Sequence, residues 1–178
     1  MILSGRAFAE WNSRISLACN AVGQTDFPAL ITESMRVVTD FQISMTFAYG
    51  VGNQVRCLDH NMSESKATIV VHNYMTGPYL LDPFYQEVLR GRTDGSCFLS
   101  EISPDRFYSS DYFKHHYART EIGDEVGIFF PISNEETAVF SFTRPNRQQR
   151  FNASERRRIA AVVPLVRSLF IQHFAILS

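Results

Sequence analysis

The two ends of the chain carry hydrophobic residues at helical spacing. Residues 7 to about 22 place apolar side chains at near-helical intervals and stop before Gly23, which predicts a first helix. Its apolar positions are Phe8, Trp11, Ile15, Leu17, Ala18 and Val22. A second helix is predicted from Phe27 or Pro28 to Thr39, because proline suits a first helical turn.

The C-terminal segment has the clearest helical pattern. Its apolar residues define one continuous face: Ile159, Val162, Val163, Val166, Phe170, His173 and Leu177. Asn152 is a suitable N-cap, and Glu155, three residues later, is its expected capping-box partner. We therefore predict a helix that runs to about Ile176, with a local kink at Pro164.

Other regions alternate with the period of a β-strand. Strands are predicted at about 41–49 and 54–60, joined by a hairpin turn at the letters GVGN. The segments DEVGIFFPIS and ETAVFSFTR predict a second hairpin with its turn at Asn134. A further strand is predicted for GSCFLSEI, residues 95–102.

The segments between these strands predict short helices. Residues 64–75 fit either a helix or an irregular connection, and the residues after Pro83 predict a short helix that Gly91 ends. Residues 103–120 contain helical turns and begin with Ser103 or Asp105 as a cap. Antiparallel strands with helices at both ends of the chain indicate an α+β fold, in one domain over residues 1–178.

Composition narrows the function classes. The 178-residue chain has a formal net charge of −1, so it has no overall attraction to nucleic acid or to an anionic membrane. No stretch approaches the roughly 18 uninterrupted apolar residues of a membrane span, and the N-terminus lacks the pattern of a signal peptide. Cys19, Cys57 and Cys97 are sparse and unclustered, so we expect no disulfide framework, metal site or cofactor. A cytoplasmic location is predicted.

One segment departs from this even balance of charge. Residues 144–158 hold six arginines and one glutamate. We interpret them as a solvated loop and helix N-terminus; contact with nucleic acid or with an acidic partner surface is the alternative.

Aromatic residues concentrate between residues 74 and 117. Six of the seven tyrosines lie there: Tyr74, Tyr79, Tyr85, Tyr108, Tyr112 and Tyr117. Because a tyrosine joins an apolar face to a hydroxyl that needs a partner, this concentration predicts a pocket with a few directed polar groups. The acids Asp82, Asp124 and Glu125 accompany it, and carboxylates beside aromatic faces favour an amine or another cation. The alternative for Asp82 is a cap of the helix that follows at Pro83.

Other reactive residue types give weaker signals. His115 and His116 would point about 100° apart on a helix, so they predict solvated surface and not a shared metal site. Cys57 and Cys97 lie on predicted strands, where we expect small core residues; a reactive thiol is the alternative.

Three motifs, in this order, carry a resemblance to a known family. They are YMTGPYLLDPFYQE, SPDRFYSSDYFKHHY and IGDEVGIFFPIS, followed by a strand ending at Arg144 and a helix from Ala153. Over about residues 40–175 the chain resembles the N-terminal sensor domains of bacterial LuxR-type transcriptional regulators. The resemblance implies a GAF-like antiparallel sheet flanked by helices, with a long C-terminal helix and no enzymatic activity.

The same resemblance implies a function and a site. The expected ligand is a small-molecule effector between the sheet and the aromatic helices, and DNA would be bound only through a helix-turn-helix domain that is absent here. We also expect a homodimer through the terminal helices. The expected site residues are Tyr74, Tyr79, Asp82, Phe84, Tyr85, Phe98, Phe107, Tyr112, Phe113, Tyr117 and Glu125. Two alternatives stay open: a thiol oxidoreductase of the methionine sulfoxide reductase type, and a ligand-free dimerisation module with a filled core.

Overall fold

The computed structural model describes residues 3–105, 107–110, 113 and 120–177, and for Tyr108 the backbone alone. The helices are α1 (Gly5–Asn20), α2 (Phe27–Val38), α3 (Glu64–Ala67), α4 (Asn73–Met75), α5 (Pro83–Leu89), α6 (Leu99–Ile102) and α7 (Ala153–Leu177). The strands are β1 (Ile43–Gly50), β2 (Gln54–His60), β3 (Ser96–Phe98), β4 (Ile122–Pro131) and β5 (Thr137–Pro145). Internal contacts divide the chain into two compact units: Met1–Phe41 with Phe151–Ser178, and Gln42–Arg150.

The first unit contains α1, α2 and α7. Phe27 at the start of α2 packs edge-on against Phe170 of α7, with ring centroids 5.3 Å apart, and stacks on His173 at 4.3 Å. The His173 Nδ1 accepts a hydrogen bond from the Gly23 backbone N–H at 3.0 Å. The predicted apolar face of α1 is only partly buried, because Phe8 and Leu17 are 54% and 55% exposed.

Helix α7 begins as its sequence predicts. The Asn152 side chain accepts from the Glu155 N–H at 3.0 Å, and the Glu155 carboxylate accepts from the Asn152 N–H at 2.9 Å. This reciprocal pair is a capping box. By length and composition alone α7 would also suit a membrane span; a core helix meets the same criterion, and the apolar face from Ile159 to His173 is buried here. Leu177, predicted on that face, is exposed.

The second unit is built on an antiparallel sheet in the order β2-β1-β5-β4-β3. Both predicted hairpins are confirmed: β1 pairs with β2, and β4 pairs with β5. The first turn places Gly52 and Asn53 at φ values of 74° and 59°, a left-handed conformation that glycine and asparagine tolerate best. Successive side chains along each strand point to opposite faces of this sheet.

Short helical pieces fill the chain between the strands. Residues 64–75 are helical throughout, because α3 continues through a π-helical turn (Thr68–His72) into α4. A 3-10 turn (Pro78–Leu81) precedes α5, which ends before Gly91 as predicted. The predicted strand over residues 95–102 is wrong in its second half: Glu101 accepts a hydrogen bond from the Phe98 N–H at 3.0 Å, and α6 begins at Leu99. Of residues 103–120, a 3-10 turn (Phe107–Ser109) is described.

The architecture agrees with the predicted class. Antiparallel strands, helices before and after them in the chain, and a long C-terminal helix make an α+β fold.

Candidate functional site

A small buried cavity lies between one face of the sheet and the helical pieces of the second unit. From the sheet it is lined by Met45, Phe47, Tyr49, Ile122, Glu125, Val139 and Ser141. From the helical side it is lined by Val70, Tyr74, Asp82 and Phe84. Its volume is about 20 Å³, which is room for one water molecule. The wall is thus mostly apolar, with two carboxyl groups and a few hydroxyls directed inward.

Asp82 both caps a helix and lines this cavity. Its Oδ1 accepts from the Phe84 N–H at 2.7 Å, which caps α5, and its Oδ2 accepts from the Tyr74 hydroxyl at 2.6 Å. Burial raises the pKa of the Asp82 carboxyl to about 6, although these hydrogen bonds favour the charged form. The two sequence interpretations of Asp82 therefore do not exclude each other.

Two tyrosines extend the polar network into the sheet. The hydroxyls of Tyr49 and Tyr74 are 2.7 Å apart, and since Tyr74 donates to Asp82, Tyr49 donates to Tyr74. Burial, and next the charge of Asp82, raise the pKa of Tyr49 well above its ordinary value, so Tyr49 keeps its proton. Tyr49 is missing from the predicted site because it lies outside the aromatic segment. Met45, Phe47 and Tyr49 are alternate residues of β1 and therefore share one face of the sheet. This alternation is the sequence signal that could have added Tyr49 to the predicted site.

Glu125 reaches the cavity from β4, while its neighbour Asp124 does not. Successive strand residues face opposite sides, so Glu125 shares the cavity face with Gly127 and Phe129. Gly127 leaves room for Phe84, whose ring would lie 2.7 Å from an added Cβ. Asp124 is a cross-strand neighbour of Arg144 on the other face. The two adjacent acids therefore belong to different environments.

Tyr79 and Tyr85 belong to the aromatic cluster, the buried group that also includes Phe47, Tyr49, Tyr74 and Phe84, but direct their hydroxyls to the β1–β2 turn. The Tyr79 hydroxyl donates to the Asn53 carbonyl at 2.6 Å, and the Tyr85 hydroxyl donates to the Asn53 side-chain oxygen at 2.8 Å. Both tyrosines are buried. Through these two hydrogen bonds Asn53 links the helical side of the cavity to the β1–β2 hairpin.

The remaining predicted residues fall into three groups. Phe107 and Phe113 pack edge to face at 5.6 Å and join the same hydrophobic cluster. Phe98 does not join it: Phe98 pairs with Val126, so its side chain lies on the face of the sheet opposite the cavity. Tyr112 and Tyr117 lie outside the described residues, as do His115 and His116.

The geometry of the cysteines opposes the oxidoreductase alternative. Cys57 lies on edge strand β2 and Cys97 on the other edge strand, β3, so four strand spacings, about 19 Å, separate them. A disulfide requires Cα atoms within about 7 Å. Burial raises the pKa of Cys57 to about 11 and that of Cys97 to about 12, which opposes thiolate chemistry. Among the described residues no group of three or more His, Cys, Asp or Glu side chains is arranged to hold a metal ion.

Several arginines of the basic segment bind the protein's own backbone. Within the second unit, Arg144 donates to the Gln149 carbonyl at 3.1 Å. Within the first unit, Arg156 donates to the Phe151 carbonyl and Arg158 to the Val38 carbonyl, at 3.1 and 2.8 Å. These contacts give three of the six arginines a structural role.

Solved structures with the same fold come from transcriptional regulators. The chain superposes on the ligand-binding domain of VqsR from Pseudomonas aeruginosa with a TM-score of 0.82 at 22% identity, covering 94% of this chain and 98% of that one. It superposes on CepR2 from Burkholderia cenocepacia, an N-acylhomoserine lactone dependent LuxR family transcription factor, with a TM-score of 0.71 at 10% identity, covering 97% and 99%. The chain has the fold of a LuxR-type ligand-binding domain.

Further comparisons agree with this fold. Escherichia coli SdiA matches with a TM-score of 0.57 at 13% identity over 94% of this chain and 66% of that one. An Aeromonas salmonicida protein, named as a HTH-type transcriptional regulator in the exeN 3′ region, is 30% identical over 93 residues. The chain spans about half the length of this curated relative, 47%, and no family model matches it. The resemblance predicted from the motifs is confirmed for the fold, and these matched proteins are regulators, not enzymes.

Proposed function

We propose that this LuxR-type domain senses a small-molecule effector that binds beside Asp82. The observation that carries the proposal is the pair of buried carboxyl groups, Asp82 and Glu125, that line one small and otherwise largely apolar cavity. Buried acids in an apolar pocket are typical of binding sites, and burial raises the pKa of one of the two, Asp82. The effector acts within a cytoplasmic homodimer whose DNA contacts come from a separate helix-turn-helix domain.

We infer the chemical class of the ligand from the groups that line the cavity. Carboxylate oxygens accept hydrogen bonds, so the effector presents an N–H donor to Asp82, either on an amine or on an amide. The aromatic rings of Phe47, Tyr49 and Tyr74 surround that donor and favour a cation. The amide of an N-acylhomoserine lactone, which the name of CepR2 specifies for that protein, is a neutral donor of the same kind.

The size of the cavity implies a coupled movement. A volume of about 20 Å³ does not hold an amine or amide of several heavy atoms, so binding moves the helical side away from the sheet. Tyr74, Asp82 and Phe84 belong to this side and shift together because Asp82 contacts both of the others. The change is transmitted to α7, which follows β5 in the chain and leads towards the DNA-binding domain.

Calorimetry tests this proposal directly. A panel of small amines and N-acyl amides is titrated into the wild-type chain, Asp82→Asn and Glu136→Gln. The Asp82→Asn side chain keeps an oxygen for the helix cap but loses the charge, and affinity is expected to fall at least about tenfold. Glu136 is a matched control because its carboxylate pairs with Arg56 at the surface, away from the cavity, and its loss leaves binding unchanged. Equal affinity for all three proteins would contradict a role for Asp82.

The small cavity also supports a second candidate, a ligand-free dimerisation module. Phe8, Leu17, Ile176 and Leu177 of the terminal helices are each more than half exposed, which is the kind of apolar surface that a second copy covers. In that case sedimentation shows a dimer and no member of the panel binds. A monomer at high concentration contradicts dimerisation in either candidate.

A further inference from the structure

Two separate spaces meet at one side chain in the second unit. The cavity beside Asp82 is lined by buried side chains, whereas an open surface groove of about 350 Å³ lies next to it. Among the described residues the groove is lined by Ser65, Lys66, Ile69, Val70, Thr120 and Glu121. Val70 is the residue common to both, and Ile122 of the cavity follows directly after the groove residues Thr120 and Glu121. Val70, only 2% exposed, therefore forms part of the wall between solvent and the cavity.

The backbone that carries Val70 is not a regular α-helix. It belongs to the π-helical turn, in which the Asn73 N–H donates to the Thr68 carbonyl five residues earlier. Such turns are rare, interrupt the regular hydrogen-bond pattern and occur frequently at functional sites. Val70 and Val71 are both buried in this turn, whereas Ile69 is 49% exposed and His72 is also exposed. Val70 is thus a small buried side chain on an irregular turn and lines both spaces.

We propose that Val70 is the gate through which an effector passes from the groove to Asp82. The inference rests on the proposed function, since it takes the cavity as the binding site. Rotation or outward movement of one isopropyl group connects the groove to the cavity, because Val70 contacts both spaces. Polar groups of Lys66 and Glu121 at the groove receive the polar end of the effector, and Asp82 and Glu125 receive it inside.

Val71 provides a matched control for this gate. It is the next residue, is equally buried at 2% exposure and is also a valine, but it lines a different groove together with Cys57, His60 and Met75. Val70→Ala and Val71→Ala remove the same atoms from neighbouring positions. Any difference in access to the cavity then comes from the position and not from the loss of packing.

Thiol labelling measures the gate without an effector. Ser141, which lines the cavity, is replaced by cysteine, and its labelling by the small reagent methyl methanethiosulfonate is followed by peptide mass spectrometry. Buried Cys97, on β3 and outside the cavity lining, reports global opening in the same sample. Val70→Ala is expected to speed labelling at position 141 about tenfold, with no comparable change in the Val71→Ala protein or at Cys97.

The outcomes separate the gate from the binding proposal. Equal labelling rates at position 141 in the two alanine variants would overturn the gate, as would a parallel rise at Cys97. Val70→Phe supplies the opposite test, since a larger side chain is expected to slow the labelling. If the gate is confirmed while calorimetry detects no effector, the proposed function fails and the access route stands.

Discussion

The two ends of helix α5 hold buried carboxyl groups in opposite surroundings. Near its C-terminal end, Glu87 accepts hydrogen bonds from Arg90 and Arg92 at 2.6 and 2.8 Å. Burial pushes the pKa of Glu87 upward, but the two arginines bring it below its ordinary value. At the N-terminal end, Asp82 receives uncharged donors, the Tyr74 hydroxyl and the Phe84 N–H, and burial raises its pKa to about 6.

This contrast separates a structural acid from a candidate ligand contact. The charge of Glu87 is matched by the protein's own cations, so Glu87 stabilises the turn after α5 and has no need of a further partner. The described contacts of Asp82 supply no cation, and its carboxyl faces a cavity. A donor brought by a ligand would therefore gain a charge-assisted hydrogen bond there that the fold alone does not make.

The largest expected effect is on the pH dependence of stability. The pKa of Asp82 is about 4 in the unfolded chain and about 6 in the folded protein. Its protonated carboxyl therefore contributes stability that is fully present below about pH 4 and is lost as the pH rises through about 6. Between about pH 4 and pH 7 the wild type should lose about 2.5 kcal/mol of unfolding free energy relative to Asp82→Asn. Urea unfolding of both proteins across this range measures the difference, and parallel curves would refute the raised pKa.

A smaller effect is expected from the hydroxyl that Asp82 accepts. Tyr74→Phe leaves one carboxylate oxygen without its donor, which should cost about 2 kcal/mol at neutral pH. The pKa of Asp82 should also rise further, so the loss of stability with pH moves to higher pH. Tyr85→Phe is the control, because it also loses one hydroxyl hydrogen bond but to Asn53. An identical pH profile for the two variants would show that Tyr74 does not hold the charge.

The smallest effect should come from removing the cations around Glu87. Arg90→Gln with Arg92→Gln makes Glu87 resemble Asp82, and the cost should be about 1 kcal/mol because both arginines are solvent-exposed in part. The pKa of Glu87 is lowered in the folded protein, so its ion pairs with the arginines contribute to stability above about pH 4.3, and this contribution is lost as the pH falls below that value. Thermal unfolding at neutral and acidic pH checks this. Adding Glu87→Gln to the double variant removes the unpaired buried charge and should restore part of the stability. If no stability is recovered, the arginines do not neutralise Glu87 as the comparison with Asp82 requires.

Much of the fold could be predicted from local patterns. The two hairpins and the capping box at Asn152 rest on residues close together in the sequence, and all three are confirmed. The strand predicted over residues 95–102 failed in its second half because the apolar period does not distinguish a short strand from a short helix. The hydrogen bond from the Phe98 N–H to Glu101 decided that boundary.

The candidate site was less predictable, because it depends on which face of the sheet each residue occupies. Phe98 and Cys97 are adjacent, yet only Cys97 belongs to the aromatic cluster. Tyr49 lies 25 residues before Tyr74. Strand β2 and the helical segment after it bring the chain back over the sheet, so that the two hydroxyls are 2.7 Å apart. Neither fact follows from the concentration of tyrosines between residues 74 and 117.

By itself the sequence determined the α+β class, the hairpins, the C-terminal helix and the presence of an acid at the start of α5, because periodicity, turns and caps act over a few residues. Only the tertiary structure decided that this acid also meets Tyr74, Tyr49 and the cavity that Glu125 shares. Those contacts join segments far apart in the chain, and their geometry depends on strand order and register. The sequence is enough to identify Asp82 as a helix cap, whereas its place in the cavity wall depends on the tertiary structure.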